Sequence, residues 1–482
     1  AKIDEGNMEL TGMPERSYVD YPDLGKTKRY NKDWEHSPLN DVHLYINKDV
    51  QITPGEPLSL PMASIENIGY SEKNRSRSAA NALGIVVGTL ALITIIVALT
   101  KSSCPFVYVN DGEQLVFQGE LYPGNIIENA QKTDYIRLPA IKETDGLYML
   151  EITNELLEIQ HTDEAVLQVV DHPEDVLVMM DTEGQIHSIK DPVSPMSAIA
   201  DNSFDATKAL SENDQIVAAF DSPKSNTDGT RSIELWFDHQ AENTNGKIIL
   251  SLKNSYWLDY AMGSFYKQFG DYYPTFQKDQ QKTTLEEAYQ WRSDQSLPLS
   301  VYLETGGEWK LQHTINAVGP MHFRDIVLPL DLEEVGDSPV KIKLETGFMF
   351  WEVDKVAMDY TENVSMIKKD LVPYTAIDNH GVDAADLLGA RDKAYLTQQE
   401  VGDWVQIEYQ SPPMQHESRT VFLKNTGYYT YKREFTGSPD FEELKKFRNP
   451  GHFTQYAEEQ YNAIIRAIIA AKPELVGNYG AD

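Results

Sequence analysis

Two pairs of carboxylates stand at related places in two matched stretches: Asp201 and Asp205 in PMSAIADNSFDATKAL (195–210), and Asp378 and Asp383 in PYTAIDNHGVDAADLL (373–388). Calcium takes about six to eight oxygens, and acids a few residues apart in a loop are a usual source of them. Asp and Asn in such loops also cap turns by accepting backbone hydrogens. The sequence therefore expects turn caps at these four residues, with a structural calcium site as the alternative. A second group is aromatic and runs from Tyr256 to Phe276. Exposed as a row, Trp257, Tyr260, Tyr266, Tyr272 and Tyr273 would stack on a glycan. Their spacing of three and four instead predicts a helix that buries one aromatic face.

Other chemistries lack their marks. The eleven histidines are dispersed, with no HExxH or HxH spacing, and no GxSxG, GxxxxGK[ST] or GxGxxG occurs. Cys104 is the one cysteine, which excludes an internal disulfide, a multi-cysteine zinc site and a CxxC pair. It reads as a structural or lipid-facing thiol, and Lys101 stands where a lipoprotein signal wants an apolar side chain. Glycoside hydrolysis needs two opposed carboxylates, and 75 acidic residues nominate no pair. No catalytic residue and no cofactor is expected. A net charge of -33 over 482 residues repels nucleic acid over most of the surface.

The elements that must position these residues are organised around Ala79 to Thr100, an uncharged run of 22 residues. As a helix it would cover about 33 Å, enough to cross a hydrocarbon core of roughly 30 Å. A transmembrane helix is expected over 79–101. Lys73, Arg75 and Arg77 precede the run and Lys101 follows it, which places the amino end in the cytoplasm and the acidic bulk outside. Removal of a leader would reverse that topology.

Residues 1–40 are polar, without sustained period, and read as an extended arm; 41–78 carry short alternating runs and read as a small β unit. Beyond the span the texture is β. Runs such as FVYV, QLVF and LYMLEI, with turn signals at Asp111-Gly112, Pro123-Gly124 and Asp145-Gly146, predict a β domain over 104–190. SIELWF, KIILSL, LSVYLE, IVLPLD and VKIKLE predict an antiparallel sandwich module over 191–365, interrupted by the aromatic segment. The matched stretches, each followed by an alternating strand and a strand ending in Lys-Asn and aromatics, make 366–437 a second, shorter copy of that module. Ser438-Pro439-Asp440 then starts a helix over 438–482 whose stripe is Ala457, Tyr461, Ile464, Ile465 and Ile468, ending before Pro473.

The stretch Cys104-Pro105-Phe106-Val107-Tyr108, followed by Asp111-Gly112 and Gly119-Glu120, then Asn154-Glu155 and Val170-Asp171-His172-Pro173, resembles a family of poorly characterised envelope proteins of Gram-negative bacteria. The resemblance runs on through Trp351-Glu352-Val353-Asp354-Lys355-Val356 and Lys424-Asn425-Thr426-Gly427-Tyr428-Tyr429, covering most of 104–435. It implies a membrane-associated, extracytoplasmic β protein and transfers no functional residues. Together these readings predict a mainly β chain of tandem antiparallel sandwich-like modules with one transmembrane helix and a C-terminal amphipathic helix. The function expected is that of a non-enzymatic subunit of a bacterial envelope complex, docking other envelope membrane proteins and anchored in the bilayer by 79–100. The alternative is a cell-surface glycan-binding protein using 256–276.

Overall fold

A computed structural model of the chain describes strands within residues 2–70, and residues 105–471 apart from 127, 129–130, 202–203, 223–225, 227, 239–241 and 336–338. The apolar run 79–100 and Cys104 lie outside the described residues. Among those described, no helix is long and apolar enough to cross a membrane. The chain divides into two compact units, residues 1–100 with 459–482, and residues 101–458.

In the first unit, β1 (Lys2–Asp4), β2 (Glu9–Gly12), β3 (Val42–Ile46), β4 (Leu58–Pro61) and β5 (Ile65–Tyr70) form two small antiparallel sheets, β1-β2-β4 and β3-β5. Within the expected arm 1–40, β1 and β2 are strands instead: β2 pairs with β1 on one side and with β4 on the other, so its backbone groups are satisfied by a ladder, while 13–40 lie outside the described residues.

The second unit opens with β6 (Phe106–Asn110), β7 (Leu115–Glu120), β8 (Gly124–Asn125), β9 (Lys132–Arg137), β10 (Leu147–Thr153) and β11 (Glu158–His172), then a hairpin of β12 (Leu177–Met180) and β13 (Ile186–Ile189). Next come β14 (Ser197–Ala200), β15 (Phe204–Asp205), β16 (Arg231–Phe237) and β17 (Asn245–Asn254). Helices α1 (Tyr256–Lys267), α2 (Tyr273–Gln280) and α3 (Leu285–Asp294) precede β18 (Leu299–Thr305), β19 (Glu308–Ile315), β20 (Arg324–Asp331), β21 (Val340–Thr346) and β22 (Trp351–Asp359). The last run is β23 (Ile367–Leu371), β24 (Thr375–Asp378), α4 (Ala385–Leu388), β25 (Leu396–Gln398), β26 (Trp404–Gln410), β27 (Ser418–Tyr431), α5 (Phe441–Lys446) and α6 (His452–Ala471).

Period-2 alternation decides which face each strand buries. Tyr148, Leu150 and Ile152 of β10 and Val405, Ile407 and Tyr409 of β26 turn inward to meet Leu167, Val169 and Leu423 of the opposite sheet. The two sheets of this sandwich are β24-β26-β10-β6-β7 and one in which β27 lies between β11 and β9. The second sandwich packs β15-β14-β16-β21-β18-β19 on β20-β17-β22, its core built on Leu235, Ile342, Leu250 and Val356.

Residues 366–437 are therefore not a separate module. β24 and β26 extend the sheet of β10, and β27 pairs with β11 from Glu158↔Tyr431 to His172↔Ser418. The segments 104–190 and 366–437 make one sandwich, with 191–365 inserted between them. Periodicity identifies strands, but ladder partners this far apart leave no local mark.

The expected duplication is present in a different form. The orders β14-β16-β21-β18-β19 and β24-β26-β10-β6-β7 correspond strand for strand, as do β20-β17-β22 and β9-β27-β11. Only the chain order is permuted. Irregularities recur too: the register shifts at Val107/Tyr108 and at Val301/Tyr302. Asp163 is left out of the β11 ladder, and Asp354 is left out of the β22 ladder. The freed carboxylates do the same work. Asp163 Oδ1 accepts from the Asp392 and Lys393 amides at 3.1 and 2.6 Å, and Asp354 Oδ1 accepts from the Gln215 amide at 2.7 Å. Lys393 and Gln215 have φ of 68° and 67°, so each clamp fixes a left-handed turn at the matching place.

The β12-β13 hairpin joins the sandwiches. Val178 and Met180 pack on Val170 and Phe422 of the first, while Met179 and Ile189 pack on Val327 of the second. The expected C-terminal helix is two helices. Asp440 caps α5 by accepting from the Glu443 amide, with Pro439 ahead of the cap, and Pro450-Gly451 separates α5 from α6. Phe453, Tyr456 and Ala457 of α6 enter the second core, whereas Ile464 and Ile465 remain half-buried.

Candidate functional site

The four acids singled out in the sequence lie on the matched edge segments that carry β14-β15 and β24. Backbone geometry aligns these segments at constant offset: Ala206 N donates to Ala198 O at 2.8 Å, and Ala384 N donates to Ala376 O at 2.7 Å. Asp205 Oδ1 accepts from the Thr207 amide, and Asp383 Oδ1 from the Ala385 amide. Asp201 corresponds to Asn379 rather than to Asp378, since Ser232 N donates to Asp201 Oδ1 and Trp404 N donates to Asn379 Oδ1. Asp378 instead closes its own turn, accepting from the His380 and Val382 amides, each at 2.9 Å.

Asp205, Asp378 and Asp383 thus cap their own turns, whereas Asp201 Oδ1 accepts across strands from Ser232 N. Among the described residues, no group of three His, Cys, Asp or Glu side chains gathers as a metal site needs. Burial pushes the Asp201 carboxyl above the usual range, against the hydrogen bond from Ser232. Hydrogen bonds from the Thr207 hydroxyl and amide hold Asp205 below it.

The glycan alternative meets a physical obstacle as well. Trp257, Tyr260, Tyr266 and Tyr273 are 2%, 2%, 5% and 0% exposed, and only Tyr272 among the five reaches 36%. Ser255 caps α1 by accepting from the Leu258 amide, and the helix presses Leu258, Phe265 and Tyr266 into the second core. Desolvation raises the Tyr266 and Tyr273 phenols accordingly.

What the edge segments do expose is apolar. Burial runs identically over 204–210 and 382–388, and at the outward positions stand Met196 and Tyr374, 54% and 57% exposed, then Phe204 and Val382, 67% and 58% exposed. Each sandwich thus offers one apolar side chain before its edge strand and one at the tip of the return. The repeat held this signal, in apolar residues standing at surface parity in both copies.

A second feature is a cleft of about 450 Å³ beside β9 of the first sandwich and β20 of the second. The Arg324 side chain, 6% exposed, crosses from β20 to β9: Nη2 donates to Asp134 Oδ2 at 2.9 Å and Nη1 to Tyr135 O at 2.9 Å. Tyr135, Arg137, Tyr289, Phe323, Asp325 and Arg391 line the space. Arg137 Nε is buried without a hydrogen-bond partner, and so is Arg324 Nε. Desolvation makes the Arg137 cation easier to deprotonate than usual, an effect opposed by Asp325. None of the residues nominated from the sequence lines this cleft; its cations are scattered from Lys132 to Arg391, with no spacing to betray them.

No family model matches the chain, and no curated protein matches it. Among solved structures it is similar, at 8% identity and a TM-score of 0.16, to a GH31 alpha-xylosidase from Xanthomonas citri, with 68% of this chain and 25% of that chain covered. It is also similar to a triple jelly roll protein in the turret assembly of an archaeal virus, at 9% identity and a TM-score of 0.13, with 68% and 96% covered. The chain spans 25% of the xylosidase, and neither TM-score reaches the level of a shared fold.

Proposed function

We propose that this chain is a non-enzymatic, membrane-anchored docking subunit of an envelope protein complex, with one partner protein seated on each of the two matched edge segments. The observation that carries this reading is the repetition of exposed apolar side chains, Met196 with Phe204 and Tyr374 with Val382, on two equivalent sheet edges. Single exposed apolar residues are ordinary on a surface, but a pattern retained at matching places in both copies indicates a shared use. With 75 acidic against 42 basic residues, the partner this surface favours is basic. The uncharged run 79–100 supplies the anchor.

The test is purification from native membranes in mild detergent with mass spectrometry of what accompanies the chain. Two partner copies per chain are expected, one copy lost in Phe204→Glu or Val382→Glu, and both lost in the double variant. A chain that runs as a lone monomer, or a double variant that keeps its full complement, overturns the reading.

A further inference from the structure

We propose that the cleft beside β9 and β20 binds a small planar organic anion, whose carboxylate or phosphate group is received by Arg137. The proposal goes beyond docking and does not depend on it.

Three observations support the assignment. The space of about 450 Å³ lies in the size range of ligand pockets and is lined by both rings and charges. In a chain of net charge -33, carboxylates are abundant, yet Arg137 makes no hydrogen bond or ion pair with a side chain among the described residues, and its Nε is sealed from water. Nη1 and Nη2 of Arg137, which are not sealed, are the N–H groups that would pair with an incoming oxyanion in a charge-assisted contact. Arg391, exposed and lining the same space, adds a second cation on the far side of the first sandwich's sequence.

The neighbouring groups define the rest of the ligand. Arg324 is committed to Asp134 and to two backbone carbonyls, so it forms the floor rather than the anchor. Lys132 Nζ donates to Ala317 O at 2.8 Å, and the Asp181 carboxylate is taken by the Glu183 and Gln185 amides and by His187. That leaves Arg137 and Arg391 for an anion, with Tyr135, Tyr289 and Phe323 to accept a flat body. Glu183 and Asp325 on the rim disfavour a ligand with several negative charges.

The test is calorimetric titration of the full chain in mild detergent with benzoate, phenyl phosphate and inorganic phosphate. Saturable binding of benzoate or phenyl phosphate is expected, weaker for inorganic phosphate, and reduced about tenfold in Arg137→Gln. Whichever of the two aromatic anions binds tighter identifies the headgroup. Arg391→Gln should weaken binding by a smaller factor and carries the test if Arg137→Gln melts early. Arg448→Gln, away from the cleft, should leave binding unchanged, as should Phe204→Glu. Equal binding by the native chain and Arg137→Gln, binding of inorganic phosphate alone, or no binding at millimolar ligand would each overturn the proposal.

Discussion

Asp171 is 1% exposed at its side chain and lies against Arg419, with Nε at 2.5 Å from Oδ1 and Nη2 at 3.0 Å from Oδ2. Burial alone would raise its carboxyl, but the Arg419 hydrogen bonds and the Gln415 amide outweigh that and hold it below the usual range. A carboxyl depressed by folding stabilises the native state above its unfolded value and loses that contribution as the pH falls through the folded value. Asp171→Asn should therefore cost about 3 kcal/mol at neutral pH, by leaving Arg419 buried without its counter-charge. The gap between the urea midpoints of the two proteins should narrow below about pH 4. A gap independent of pH would assign the loss to packing instead. No residue spacing reveals this pair, because Asp171 and Arg419 meet only through the β11-β27 ladder. Arg137 was equally hidden, one charge among many on a strand whose neighbours alternate as expected.

At the scale of elements, α6 is the piece whose role was half visible. Its stripe announced an apolar face, and Ala457 is indeed buried, but the residues that hold it most firmly are Phe453 and Tyr456, nearer its start. Phe453 is 0% exposed, and its ring lies 5.6 Å from that of Phe350 and 6.1 Å from that of Phe265. Glu458 adds an ion pair at 2.9 Å to Arg231, whose side chain is fully buried. Phe453→Ala should cost about 3–5 kcal/mol, read as a lowered denaturant midpoint. An unchanged midpoint would mean that α6 is dispensable to the second core. Strands such as β10, β18, β21 and β26 were legible because alternation survives in them. β11 is different: it is buried on both faces from Thr162 to His172, with β12-β13 packing at Val170, and its sequence mixes apolar residues with Asp163, Glu164 and Gln168. The helices at 256–280 were legible from aromatic spacing, and that spacing also foretold their burial.

For the whole molecule, the class of fold followed from composition and periodicity, whereas the nesting of one sandwich inside another did not. The repeat was visible in about a dozen positions, but a linear comparison could not show that the second copy borrows β6 to β11 from the front of the chain. The large negative charge leads to a prediction at this scale. Association with a basic partner should weaken markedly between about 0.05 and 0.5 M salt, since the Debye length falls from roughly 14 Å to roughly 4 Å over that range. Insensitivity to salt would leave the apolar segments as the sole determinant of docking.

The nested order also bears on how the protein is made. β11 ends at His172, while its partner β27 begins at Ser418. At about 5–20 residues per second, the ribosome delivers every strand of the second sandwich before the first has its central strand, a delay of roughly tens of seconds. During synthesis the nascent β6 to β11 segment carries an open, apolar ladder edge, which makes it the segment that a holding chaperone would be expected to cover.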